Sequence, residues 1–212
     1  LVGSEMCIRD STQTVPVTVG AQDQTILDVN YLNSHLPGTC DTNPCKPTSD
    51  LSAEITSSGN IIAQREMFFH YNHVANGRTL TAIGATDVLG QVGPAGANDY
   101  SFAEGYTNQG YDEWLTLQNP TANSEMINVT LLNEDGRTFA QAFSVVPHSR
   151  FTIDVVALVL QHLIMPHDTY KGYEVSMVVQ SSNGPFMAER PMYWNTGSGG
   201  TQGGSDVIGF TG

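Results

Sequence analysis

The sequence predicts an all-β protein made of two tandem antiparallel β-sandwiches, the first of them incomplete at its N-terminal side. Three observations carry that expectation. Apolar and polar residues alternate over short runs, which is the period of a strand with one buried and one wet face. Gly, Asn and Pro separate those runs. The chain also aligns with itself, with order preserved and gaps falling in turn-rich segments.

In the alignment, VTVGAQDQTILDV at 17–29 matches FSVVPHSRFTIDV at 143–155, bringing Asp28 onto Asp154. LSAEITS at 51–57 matches VSMVVQS at 175–181. GNIIAQREMFF at 59–69 matches GPFMAERPMYW at 184–194, so Ala63, Arg65 and Met67 recur as Ala188, Arg190 and Met192. DVLG at 87–90 recurs as DVIG at 206–209. Each matched run reads as a strand.

The second copy has a longer opening, residues 99–142, with no counterpart after residue 12 in the first. That opening contains Ile127, Val129 and Leu131 alternating with polar residues, a turn at Asn133-Glu-Asp-Gly136, and a returning strand from Phe139 to Val146. Val155 to Met165 is the one segment read as a short helix or helical turn. The organisation expected is 12–92 for a truncated first repeat, 93–212 for a complete second one, and GQVGPAGAND at 90–99 as the linker. Residues 1–11, LVGSEMCIRDS, differ in character from the rest and resemble translated sequencing-adaptor read-through of metagenomic contigs. They are set apart from the fold, and the chain is read as a fragment of a longer protein.

Four motifs carry a resemblance: Phe102-Ala-Glu-Gly105, Gly110-Tyr-Asp-Glu-Trp-Leu-Thr-Leu-Gln-Asn-Pro120, Ala188-Glu-Arg-Pro-Met-Tyr-Trp194 and Gly204-Ser-Asp-Val-Ile-Gly209. Together they resemble a repeat module of large secreted and surface proteins of bacteria, in which FAEG, G-[FY]-DEWLTLQNP, AERPMYF and GHDVVG follow in this order. The resemblance implies an immunoglobulin-like sandwich used as a spacer or adhesion unit, with no activity attached. Ser205 stands where the family often has His, Gln64-Arg65-Glu66 replaces Glu-Arg-Pro, and the first copy adds a Cys-containing loop.

Composition limits the partners. Asp and Glu number 21 against 8 Lys and Arg, for a formal charge of -13. Such a surface repels phosphate backbones and anionic membranes, so neither nucleic acid nor a lipid surface is expected. No apolar run approaches the ~18–20 residues that span a bilayer. Cys40 and Cys45 share a Pro- and Asn-rich loop. A disulfide fits them and an oxidising, extracellular or cell-surface location. Free thiols are the alternative, and the spacing suits zinc poorly.

Candidate sites follow from register. Arg65 and Arg190 alternate with inward Ala and Met, and Glu113 shares its face with Leu115 and Leu117. A buried guanidinium needs a carboxylate, which predicts an Arg190–Glu113 ion pair. Glu104, Asp112, Glu113 and Asp206 are the acids that would supply calcium, although no D-x-D-x-D-G string is present. Tyr106, Tyr111 and Trp114, with Tyr100, Tyr170 and Tyr173, are candidates for a sugar-stacking platform. His70 and His73 are read as a turn after a strand, and no metalloprotease or nucleophile-elbow motif appears. GSGGTQGG at 197–204 lacks phosphate-loop spacing, and Asn128-Val-Thr130 falls inside a strand. The expected function is a non-catalytic structural or adhesion repeat. A carbohydrate-binding module and a filament subunit joined by strand addition are the alternatives. The partners expected are neighbouring repeats, a glycan or another protein, or a copy of the chain itself through open strand edges.

Overall fold

The structure is a computed structural model and describes residues 14–35, 51–91, 96–164 and 174–212. Two compact units make up the chain, residues 1–53 and 54–212. In the first, Asp28 caps the helix α1 (Val29–His35) by accepting from the Tyr31 amide at 3.0 Å. In the second, the strands are β1 (Gln64–Ala75), β2 (Arg78–Leu89), β3 (Asp99–Phe102), β4 (Tyr111–Asn119), β5 (Glu125–Asn133), β6 (Thr138–Val145), β7 (Ser149–Asp154), β8 (Val175–Ser181), β9 (Met187–Asn195) and β10 (Gln202–Ile208). The helix α2 (Val155–His162) follows β7, and Asp154 caps it by accepting from the Ala157 amide at 2.9 Å. The two aligned aspartates therefore do the same work.

The fold is all-β and antiparallel. One sheet runs β10-β9-β4-β7 and a second runs β3-β8-β5-β6. Their inner faces share one core, in which Leu115, Leu117 and Ala188 of the first sheet meet Ile127, Val129 and Met177 of the second. Val155, Val159 and Leu163 extend that core from α2. The alternation of β5, buried at every odd position from Glu125 to Asn133, is the sequence pattern made physical.

β1 and β2 form a separate two-stranded hairpin. Asn76 and Gly77 both take positive φ, 55° and 71°, as a tight two-residue hairpin turn requires. Arg65, Met67, Phe69, Tyr71 and His73 project from one face of β1, and that face lies on the outer side of β10, β9 and β4. The hairpin expected to belong with the first repeat thus forms a third layer on the 4-stranded sheet of the second, inside the unit 54–212.

The two aligned hairpins share one register. Arg65 pairs with Val88 and Glu66 with Asp87, just as Arg190 pairs with Val207 and Pro191 with Asp206.

Three local expectations are corrected. Residues 51–57 form no strand, whereas their counterpart β8 is held between β3 and β5. Residues 17–28 form no strand either, whereas β7 is held against β4. Backbone N–H and C=O groups leave water for a ladder only when a neighbouring strand accepts them, and among the described residues the first copy has none there. The third correction concerns His70 and His73, which lie within β1 rather than in a turn after it.

Candidate functional site

Strand alternation sends Glu113 of β4 and Arg190 of β9 into the sandwich. Glu113 is 0% exposed and Arg190 8%. Arg190 Nε lies 4.0 Å from Glu113 Oε1. This is a charge pair without a closed hydrogen bond, since Nε and both carboxylate oxygens lack a partner of normal geometry. Burial pushes the Glu113 carboxyl up to about 7, opposed by the Arg190 charge and the nearby Tyr106 amide. Gly105 closes over it: a Cβ there would sit 2.2 Å from Oε1. The Gly of the FAEG motif is the seat of this carboxylate.

Arg65, the aligned arginine, meets other partners. Its guanidinium contacts Glu189 at 3.2 Å and bonds Asp206. Asp206 is buried and rises to about 6, chiefly by desolvation and then by the charge of Glu189, with Arg65 opposing.

Further along the same interface, Asp112 Oδ2 accepts from the Tyr71 hydroxyl at 3.0 Å and lies 2.9 Å from His73 Nδ1. Trp114 Nε1 donates to the Tyr71 oxygen at 2.9 Å. Tyr71 stacks on Tyr193, and His73 tilts against Trp114. Burial, then the Asp112 charge, drives the Tyr71 phenol well above its ordinary value, so it stays protonated and a donor. Asn195 Nδ2 donates to the Thr81 carbonyl at 2.7 Å, and Arg78 donates to the carbonyls of Thr107, Asn108 and Tyr111. Each polar group in this set is satisfied by another, an arrangement that fixes two surfaces together.

The expected sugar platform is divided by the pleat. Tyr111 and Trp114 are three apart on β4 and project from opposite faces. Tyr106 and Tyr111 meet edge to face at 4.7 Å, which presents no flat stacking surface, while Trp114 lies under the hairpin. Tyr100 is buried, its hydroxyl donating to the Phe186 carbonyl at 2.8 Å. The expected calcium acids separate in the same way, since Asp112 faces the hairpin and Glu113 the core. Among the described residues no three His, Cys, Asp or Glu side chains gather as a metal site. The expected Cys40–Cys45 disulfide, Tyr170 and Tyr173 lie outside the described residues. Gly197 and Gly199 adopt positive φ in the β9–β10 turn, and Asn128 lies on an exposed position of β5.

Sequence reasoning missed Tyr71, His73 and Asp112 as partners. Period-2 alternation from Arg65 through His73 places them on one face, and Asn76-Gly77 marks the hairpin that carries it.

Neither a family model nor a curated protein matches the chain. Among solved structures, it is similar to Thermotoga maritima 1070, at 18% identity over 54% of this chain and 94% of that one, with a TM-score of 0.44. It is also similar to the Anabaena sensory rhodopsin transducer, at 22% identity over 44% of this chain and 93% of that one, with a TM-score of 0.36. Among the described residues no helix is long and apolar enough to cross a membrane.

Proposed function

We propose that the chain is a non-catalytic structural or adhesion segment of an extracellular or cell-surface protein, built from tandem immunoglobulin-like repeats. One observation supports this above the others: two features recur at aligned positions, a helix cap and the register of a hairpin. Asp28 and Asp154 each cap a helix, and the two hairpins pair residue for residue in the same register. A protein selected for repetition keeps scaffold positions and varies the rest, which is the relation between Arg65-Glu-Met67 and Arg190-Pro-Met192. The polar groups that elsewhere would do chemistry, Asp112, His73 and Tyr71, are spent on joining hairpin to sheet.

The test is the complete reading frame that encodes the chain. Further in-frame segments with the FAEG, DEWLTLQNP and AERPMY runs in that order, behind a secretion signal, are the expected result. A frame with no other copy, or with a catalytic domain joined to a single copy, overturns the reading.

A further inference from the structure

We propose that the hairpin tip and the buried Glu113 carboxyl form one proton-linked latch. Arg78 clamps the loop that seals Glu113, so ionising Glu113 loosens the loop and lifts the tip, and lifting the tip eases the ionisation. The inference stands on contacts within residues 54–212 and is independent of the repeat reading.

Arg78 opens β2, directly after the Asn76-Gly77 turn. Its guanidinium donates to the carbonyls of Thr107 at 3.1 Å and Tyr111 at 2.7 Å, and to that of Asn108. These carbonyls belong to one turn, closed by the Tyr111 amide on the Asn108 carbonyl at 3.0 Å. Asn195 ties the same two parts a second time. Its backbone amide donates to the Gly110 carbonyl at 2.8 Å and its Nδ2 to the Thr81 carbonyl of β2 at 2.7 Å. The other end of this loop is the seat itself. Gly105 lies against the Glu113 carboxylate with no room for a side chain, and the Tyr106 amide sits beside it. The hairpin tip therefore holds the far side of the cover that keeps water from Glu113.

The seat suits a protonated carboxyl better than an ionised one. Both Glu113 oxygens lack a closed hydrogen bond, and Arg190 Nε stops at 4.0 Å. A buried carboxylate so short of donors gains most by admitting water. β4 and β9 are fixed by their ladder, so the loop is the part that can give way. The charge facing Glu113 is that of Arg190 on β9. Glu104 precedes the seat in the loop, and Glu174 meets Tyr106 across an isolated bridge. The acids under the hairpin are Glu189, Asp206, Asp112 and Asp154. They face Arg65, Tyr71, His73 and Asn76 rather than the seat. Closure and protonation of Glu113 then favour each other, and the coupling is reciprocal.

Hydrogen–deuterium exchange of the full chain tests the link, read as protection factors so that the ordinary acceleration of exchange with pH is divided out. From about pH 5.5 to about pH 8, amides of 106–111 and of the hairpin tip should lose protection together, by about tenfold. Glu113→Gln should hold the protection of 106–111 level over that range. A fall of the same size in Glu113→Gln overturns the inference. So does a loop that loses protection while the tip keeps its own. The reciprocal arm follows the Glu113 carboxyl by its carbon chemical shift as pH is varied. In Arg78→Met its titration should move down by about one pH unit, toward the ordinary carboxylate range. Arg78→Lys keeps the charge and loses the three-carbonyl fork, so it should move the titration the same way by less. Glu113 titrating as in wild type in the folded Arg78 variants overturns the coupling.

Discussion

The rings of Tyr71 and Tyr193 lie 4.0 Å apart and 10° from parallel, and this stack is the centre of the hairpin's seat on the sheet. Phe69 meets the edge of Tyr193 beside it at 5.0 Å, and Trp114 and Asp112 bind the Tyr71 hydroxyl. One side chain thus supplies both the apolar and the polar half of the interface.

Tyr71→Ala is expected to destabilise residues 54–212 by about 3 kcal/mol, the usual scale for deleting a packed aromatic. Tyr71→Phe keeps the stack, leaves Trp114 Nε1 without its acceptor and leaves Asp112 with His73 alone, for a cost of about 1–2 kcal/mol. Urea denaturation of the two variants measures both. Equal midpoints for wild type and Tyr71→Phe would show the hydroxyl network to be idle.

Stability should depend on pH through Glu113. Its folded value of about 7 exceeds the ordinary 4.5, so between those limits the folded chain holds a proton that the unfolded chain has released. Stability is therefore fully present below about pH 4.5, falls as pH rises, and levels off above about 7, a loss on the order of 3 kcal/mol. Asp206, at about 6 against 3.8, acts in the same direction over a lower window. Glu113→Gln should remove the decline between pH 6 and 7 and leave only the Asp206 share of the lower part. Melting curves across pH 4 to 8 decide this.

Gly105→Ala should cost about 2–3 kcal/mol because its new Cβ meets the Glu113 carboxylate. The origin is steric. The same change should cost markedly less in a Glu113→Ala background, and a double-mutant cycle reads the difference. Additive costs would place the strain elsewhere.

Arg65 and Asp206 form an asymmetric pair. Asp206 is buried and Arg65 half-exposed, so removing the arginine leaves a carboxylate stranded. Arg65→Ala should destabilise more than Asp206→Asn, by about 1 kcal/mol or more, with the excess shrinking as pH falls and Asp206, raised further by loss of the arginine, takes up a proton. Chemical denaturation at pH 5 and pH 7.5 measures both terms.

The inward registers of Arg190 and Glu113 were legible because alternation in β4 and β9 leaves no other face for them. The strand content of the second copy was legible for the same reason. Where the hairpin sits was not. Its apolar face, Met67 and Phe69, predicts that something covers it, and alternation carries no address for the partner. The position of Tyr71, Asp112 and Trp114 follows only from that docking. The strand character of 51–57 failed for a related reason, since a ladder depends on neighbours and not on the run's own residues.

The link between Arg65 and Asp206 spans 141 positions. On a ribosome adding about 5–20 residues each second, β1 and β2 emerge roughly 7–30 seconds before the surface that will receive them. For that interval Met67, Phe69 and Tyr71 face the solvent of the nascent chain. The docked layer is thus a late step of biogenesis, and the interval before it is when a holding chaperone or a premature contact between neighbouring nascent chains has its opportunity.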